Sequence, residues 1–593
     1  MIEARFDDLT PGSGRSFRLA DPAGVLMARR PGDVPGTIEA AEGAAARGLW
    51  VGGFVAYEAA PGLDPALTTR ARESADPFAE LPLAWFALFE RREDVAPLEP
   101  PTAERPEPDL DSPWRPSVDR AAYDEAIGRI RELIAAGETY QVNHTLRLRA
   151  RIAGDPRGLY RDLALAQRGA FAAYLDLGRY RVLSASPELF FRIDGDRITT
   201  RPMKGTAPRG RWLAEDEEAA ARLVGSAKDR AENAMIVDLL RNDLGRIARP
   251  GSVEVSGMFE PERYETVWQL TSTVAARLEP ATPLVEVFRA LFPSGSVTGA
   301  PKVRTMRVIA DLEDSPRGVY CGAIGYLAPP GAGEPTAHFN VAIRTVALDP
   351  GSGTAEFGVG GGITFDSSAE GEYAEVLAKA KVLTAARPDF ALFETLRHDP
   401  TEGFLHLLEH LERIGASARY FGFRFDRESA VAGLKRAVDD LGGAAVRVRL
   451  TVSRDGSIAT DVADAPPEPE GTLRLALDDE PVDPRDVWLF HKTTRRAPYE
   501  RRRGRRPDVD DVLLVNSRGE VTESTIANLA VRIGGRWVTP PLEAGLLPGS
   551  YRTVLVRDGT LVERRVTVEE VRAADEIALV SSVRGWRPAV VVP

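Results

Sequence analysis

Cysteine is almost missing. Cys321 stands alone among 593 residues, which excludes an intramolecular disulfide framework and suits a reducing compartment. Long apolar runs are missing too. Nowhere do about 18 uninterrupted apolar residues follow one another, and the opening "MIEARFDDLTPGSGR" puts acids where a secretion signal needs basic and then apolar residues. The chain therefore reads as cytoplasmic, with no membrane partner. Positive charge is not in excess: a net charge of −12, with 28% charged and 43% hydrophobic residues, describes an ordinary globular protein and argues against a nucleic-acid partner. No short repeat or low-complexity array occurs.

What is present exceeds one hydrophobic core, so several domains are expected. Residues 96–117, "APLEPPTAERPEPDLDSPWRPS", are acidic and proline-rich and predict an extended connector between an N-terminal section (1–95) and a larger block (118–386). From Tyr123 to Gly137 the apolar spacing predicts a helix, and "TYQVNHTLRLRARI" then alternates as a strand does. Near "AARPDFALFETLR" a proline closes one helix and a new unit, 387–593, begins. A second acidic, proline-rich stretch, "DVADAPPEPEGT", divides that unit into lobes of about 387–460 and 473–593. Strand-like and helical runs alternate throughout, which predicts an α+β multidomain protein.

Two segments carry paired acids. In "GSAKDRAENAMIVDLLRNDLGR" (225–246), Ile236, Leu239, Leu240 and Leu244 predict a helix with one buried face, and Asp229 and Glu232 share another near its start. In "SAEGEYAEVLAKAKVL" (368–383), Tyr373, Val376, Leu377 and Ala380 make the apolar stripe and leave Glu372, Glu375 and Lys379 on a polar face. Two such pairs could offer hard oxygen ligands to Mg²⁺. A capping box at Ser226 and Asp229 and an i,i+4 pair of Glu375 with Lys379 explain the same residues without metal. "FGVGGGITF" (357–365) and "FPSGSVTGAPK" (292–302) read as small, backbone-exposing loops; neither has the spacing of a nucleotide motif, though free N–H groups can hold a carboxylate.

Together, "GETYQVNHTLRL", "SASPELFFRI", "TRPMKGTAPRG", "AENAMIVDLLRNDLGR", "LFPSGSVTGAPKVRTMRVIADLE", "GVYCGAIGYL", "FNVAIRT" and "EYAEVLAKAK" resemble the chorismate-utilising enzymes, over roughly residues 1–385. The resemblance implies an anthranilate synthase component I-like α/β sandwich and dependence on Mg²⁺. It assigns Glu232 and Glu375 as direct metal ligands, with Asp229 and Glu372 as an outer pair acting through water. Arg344, Gly360, Gly361, Gly362, Lys379 and Thr298 fall at substrate-binding positions. Glu188 falls at the general acid/base that would protonate a departing hydroxyl.

Two positions separate the branches of that family. Gln141 stands where water-adding members carry a lysine base, so hydration at C2 of the substrate is not expected. Lys204 stands where aminodeoxychorismate synthases carry a lysine and anthranilate synthases usually carry alanine. A free lysine titrates at about 10.4 and needs burial or cationic neighbours to act as a nucleophile near neutrality; Arg201 and Arg209, if they face it, would serve. The resemblance implies that Lys204 attacks C2 of chorismate and that ammonia displaces it at C4, giving 4-amino-4-deoxychorismate. One departure is that Trp268 and Gln269 stand where many members carry a His-Leu element. Because Cys321 lies in a strand-like run and reads as core, ammonia is expected free or from a separate glutamine amidotransferase subunit.

The segment 390–593, with "FALFETLRHDPTEGFLHLLEHLERIGASARYFGF", "FHKTTRRAPYERRRG", "VLLVNSRGEVTESTIANLAVRI", "TPPLEAGLLPGSYRTVL" and "EIALVSSVRGWRPA", resembles the fold-type IV pyridoxal phosphate enzymes, a family that includes aminodeoxychorismate lyase. The resemblance implies a two-lobed α+β domain in which Lys492 bears the cofactor, Glu523 pairs with its pyridinium nitrogen, and Arg413, Ser550 and Ser582 hold its phosphate. Asn528 supports the site, and Arg584 is a candidate for the substrate's ring carboxylate. Members of this family are commonly dimers, so a homodimer through this domain is possible on that ground. The arginine-rich run reads as a solvated loop or an anion funnel. Joined, the halves would make aminodeoxychorismate and convert it to 4-aminobenzoate and pyruvate, a step toward folate. The alternatives are an anthranilate synthase component I fused to an aminotransferase, and a second domain retained as scaffold.

Overall fold

The computed structural model describes residues 2–10, 15–100, 109–110, 113–384, 389–439, 441, 443–467 and 471–593. The chain divides into two compact units, one of Met1–Arg209 with Ala219–Pro388, the other of Gly210–Glu218 with Asp389–Pro593. The short piece Gly210–Glu218 thus belongs to the second unit although its sequence neighbours belong to the first.

The first unit is built on a large, mainly antiparallel sheet. Strand Trp50–Val55 is buried at every position, which requires cover on both faces. One face is closed by an aromatic layer including Phe6, Phe17, Trp50, Phe54, Trp85 and Tyr326. Outside it, helices Val34–Ala46, Ala227–Gly245 and Leu284–Leu291 bury one apolar cluster. Helices Arg120–Ala135, Pro156–Gln167, Lys302–Leu312 and Ala369–Ala380 bury another against strands Gln141–Ala153 and Thr354–Ile363. This layering is an α/β sandwich. Cys321 is buried in the first of these clusters, and burial pushes its thiol up to about 11, the state of an inert core cysteine.

Three expectations change. The glycine run 358–362 is part of strand Thr354–Ile363 and not a loop, with Gly360 opposite Thr145, Gly361 opposite His144 and Gly362 opposite Asn143. Its other edge pairs with Thr345–Asp349 only as far as Phe357. Leu377, placed in an apolar stripe by its spacing, is 53% exposed, while Glu372 on the expected polar face is buried. The helix ends at Ala380 and turns its acids inward toward the sheet. The arginine-rich run is not a loop: Ala497–Gly504 is helical, Arg502 is buried against Asp478, and Arg505 pairs with Asp478 and Glu480.

Of the connector 96–117, residues 101–108 and 111–112 lie outside the described residues, while Asp109–Leu110 and Arg115–Pro116 pair with Gln141–Ala153. Residues 385–388 of the seam near 387 also lie outside them. The second unit holds two sheets. Leu392–Asp399, Gly403–Phe404, Val446–Val452 and Ile458–Asp464 form an antiparallel one, packed on helices Leu407–Phe421 and Arg427–Val438. The strand Ile458–Asp464 runs into the stretch read as a divider, of which 468–470 lie outside the described residues. The other sheet is mixed and spans 473–591. Among the described residues no helix is long and apolar enough to cross a membrane.

Candidate active sites

In the first unit, strand Met203–Pro208 pairs with Val267–Arg277 but loses register between Met203 and Thr206. Gly205 sits in that irregularity at φ +88, where a Cβ would lie 2.9 Å from Asp229, so conformation and space both demand glycine. The bulge turns Lys204 into a cavity of about 280 Å³ and brings the start of helix Ala227–Gly245 to its rim. That helix is capped by Ser226, which accepts from the Asp229 N–H, one half of the expected capping box, while Asp229 and Glu232 line the cavity. The open edge of the glycine strand forms the opposite wall. A Cβ at Gly360 would meet the His144 carbonyl at 2.1 Å, at Gly361 Glu372 at 3.0 Å, and at Gly362 Gln141 Nε2 at 2.0 Å.

Lys204 donates from Nζ to the Ser296 carbonyl at 2.9 Å. Burial lowers its pKa, Lys379 lowers it further, and Glu188, Glu232 and Glu375 oppose. Arg201 and Arg209 do not face it: Arg201 pairs with Glu262 and lines another cavity, and Arg209 donates to the Tyr264 carbonyl over the Trp268 ring. Strand alternation sends Arg201 to the other side of the sheet, and Lys379 is the cation that acts instead. Glu188 is buried, and burial raises its carboxyl to about 7 despite the Ser296 hydroxyl, 2.5 Å from Oε1. Arg344 has a left-handed backbone, φ 51, and is buried. Burial depresses its pKa to about 10, and its side-chain partners are the Gln167 amide and the face of Tyr264. Among the described residues it has no carboxylate partner.

The four acids line this cavity with Lys228 and Lys379. Burial raises Glu232 and Glu372, and each is raised further by neighbouring carboxylates, while Lys379, 2.7 Å away, holds Glu375 low. Among the described residues no three such side chains stand close enough to hold an ion as placed; Lys379 pairs with Glu375, and Lys228 lies 3.9 Å from Glu232. The donor chemistry, crowded carboxylates seeking a cation, still fits a hard divalent ion. Lys379 also donates to the Gly360 carbonyl at 2.7 Å. Gln269 lines the cavity, its Oε1 without a partner. Gln141 and Thr298 are buried but do not line it; Thr298 is tied to the Ser294 carbonyl. Ser296, Tyr264 and Gln167 were not singled out by sequence reading, and only Ser296 lay in a segment it flagged.

The second unit has its own cavity, of about 320 Å³. Lys492 lies at its floor, with Nζ 5.0 Å from the centre of the Phe393 ring. Burial, then Arg413 and Arg496, depress it to about 8, against Glu394 and Glu523. Glu523 is pushed up by burial to about 8 and accepts from Asn528 Nδ2 at 3.1 Å. The Ser550 hydroxyl is buried, among the described residues without a partner, at the start of helix Ser550–Arg557. At Gly549 a Cβ would lie 1.8 Å from Asn528 Oδ1, so the backbone there can only be bare. Arg413 lines the same corner and chelates Glu394. Ser582 is bound to His410, and Arg584, lowered by burial and by Arg503 and Arg447, lies at the rim. A lysine and a protonated acid at about the same pKa, an orphan hydroxyl and a side-chain-free turn suit pyridoxal phosphate. Glu394 and His410 were missed, since nothing local marks a contact across 16 residues. Arg447 and Arg449 were missed although "VRVRL" places them on one strand face.

The chorismate binding enzyme family model matches residues 32–385, and that of amino-transferase class IV matches 391–592. An aminodeoxychorismate synthase of Streptomyces pristinaespiralis is 43% identical over 54% of this chain and 44% of its own length. Component 1 of the aminodeoxychorismate synthase of Salmonella typhimurium is 42% identical over 46% of this chain and 58% of its own. The chain therefore spans about half the length of these curated relatives. Anthranilate synthase component I of Streptococcus pneumoniae superposes with a TM-score of 0.53 at 27% identity, covering 63% of this chain and 93% of that one. The second unit carries a fold-type IV aminotransferase-like domain. With the sandwich, the glycine-strand cavity and a match over more than half its residues, the chain belongs to the chorismate binding enzyme family.

Proposed function

We propose that the first unit aminates chorismate at C4 and that the second eliminates pyruvate from the product to give 4-aminobenzoate. The observation that carries the first step is Lys204, half-buried in the family's cavity beside an acid that titrates near neutrality. Neutral Lys204 Nζ attacks C2, both ring double bonds shift, and the C4–O bond breaks. Protonated Glu188 gives its proton to that oxygen, so water leaves. Ammonia then adds at C4, both double bonds return, the C2–N bond to Lys204 breaks, and the proton shed by the new amine restores Glu188. Arg344 is the partner for a substrate carboxylate: it is a buried cation that lacks one. Mg²⁺, held by Glu232 and Glu375 with Asp229 and Glu372 beyond, would neutralise the ring carboxylate and stabilise charge as the hydroxyl departs. Ammonia would come from a separate glutamine amidotransferase, since Cys321 is buried and unreactive.

In the second unit pyridoxal phosphate supplies an electron sink when bound. Glu523 would hold the proton on its ring nitrogen, Arg413, Ser550 and Ser582 its phosphate, and Lys492, near pKa 8, would carry protons to and from substrate carbon. The deciding assay incubates the chain with chorismate, Mg²⁺ and ammonium salt. Formation of 4-aminobenzoate supports both steps, and anthranilate refutes the first. Lys204→Ala should suppress amination while chorismate still binds; full amination in that variant would exclude covalent catalysis by Lys204.

A further inference from the structure

Behind the floor of the second cavity lies a polar chain that proton transfer at Lys492 does not use. Arg413 donates to both oxygens of Glu394. His410 Nδ1 lies 2.7 Å from Glu394 Oε2, and Nε2 lies 2.8 Å from the Ser582 hydroxyl. Both Glu394 and His410 are 1% exposed. Burial alone would raise Glu394, but Arg413 and His410 hold it at about 2, so it is always an acceptor and Nδ1 must carry a hydrogen. A neutral ring then has a bare Nε2, which can only accept, and the Ser582 proton is spent on it. In that state the Ser582 oxygen turns lone pairs to the cavity, a poor lining for an anion. A proton on Nε2 reverses the bond: the ring donates to Ser582, whose own O–H is released toward the cavity beside Ser550 and Arg413.

We propose that His410 is a positioning residue that takes up one solvent proton when the cofactor's phosphate binds, converting Ser582 from acceptor to donor. This rests on the pyridoxal phosphate reading of the cavity. The groups that face the ring pull in both directions. Burial keeps it neutral, Arg413 and Lys492 oppose a further positive charge, and Glu394 favours it. A phosphate dianion supplies the negative charge that tips this balance.

The chain has six histidines, few enough for imidazole ¹⁵N resonances to be resolved, with His410 assigned by its loss in His410→Gln or, should that variant not fold, by its shift in Ser582→Ala. At neutral pH the ring should be singly protonated, at Nδ1, in the cofactor-free chain, and doubly protonated once pyridoxal phosphate saturates it, as judged by the visible absorption of the bound cofactor. His410→Gln and Ser582→Ala should each weaken pyridoxal phosphate binding about tenfold, the loss of one hydrogen bond to a charged group. The decline of wild-type affinity with rising pH should flatten in His410→Gln. A ring that stays neutral in the coloured, saturated protein overturns the proposal, as does wild-type affinity in Ser582→Ala. A protein that never develops the absorption overturns the cofactor reading, and the proposal with it.

Discussion

Lys204 and Lys492 are both half-buried, and in both desolvation is the largest cause of a lowered pKa, yet their charged neighbours differ. Around Lys492 two arginines, Arg413 and Arg496, stand against two acids, Glu394 and Glu523, and the protein alone brings the amine to about 8. Around Lys204 three carboxylates resist and only Lys379 assists. The lesson concerns what each cavity must receive. Chorismate, the proposed substrate, would bring two more carboxylates to a wall already carrying five acids, Glu188, Asp229, Glu232, Glu372 and Glu375, so a cation from outside would be needed there. The second cavity, rimmed by Arg447, Arg449, Arg496 and Arg584, can receive an anion unaided.

The largest test of this contrast is Lys492→Ala. The visible absorption and the lyase step should vanish while chorismate amination continues at its wild-type rate; a loss of both steps would mean the sites are not separable. Chelation should do the reverse, silencing amination and sparing turnover of supplied 4-amino-4-deoxychorismate, as measured by 4-aminobenzoate release with and without added Mg²⁺. Next in size, Glu188→Gln removes the acid and should lower kcat of the first step by about 10²–10⁴. In the wild type that step should decline as pH rises past about 7, because the protonated fraction of Glu188 falls, and steady-state rates across pH should lose this limb in the variant. Smallest is Arg344→Gln, which should raise KM for chorismate roughly 10–100-fold, the worth of a hydrogen bond to a charged group, with a smaller change in kcat.

Much of both sites was legible because their residues sit in strong local patterns. Asp229 and Glu232 are three apart on a helix whose apolar spacing is unmistakable, and Lys204, Glu188 and Lys492 lie in dense motifs. What escaped was decided by tertiary packing. Residues 358–362 are four glycines around Val359 and carry no side-chain alternation, so a strand looked like a loop; what glycine provides there is room for Gln141, Glu372 and the neighbouring backbone. Arg201 is near Lys204 in sequence, but a pleat sends it to the opposite face. Ser296 meets Glu188 across 108 residues and His410 meets Ser582 across 172, and no periodicity announces such pairs. Leu377 failed for a simpler reason: an apolar stripe is wider than the surface available to cover it.

Arg344 reaches beyond catalysis. A guanidinium held in the wall, its charge answered among the described residues by an amide and a ring face, carries a desolvation cost in the unliganded first unit. A ligand carboxylate that binds only the folded form returns that loss, about 2.7 kcal/mol at a hundredfold excess over Kd. If chorismate is that ligand, the chain should resist unfolding and proteolysis better in its presence than in its absence.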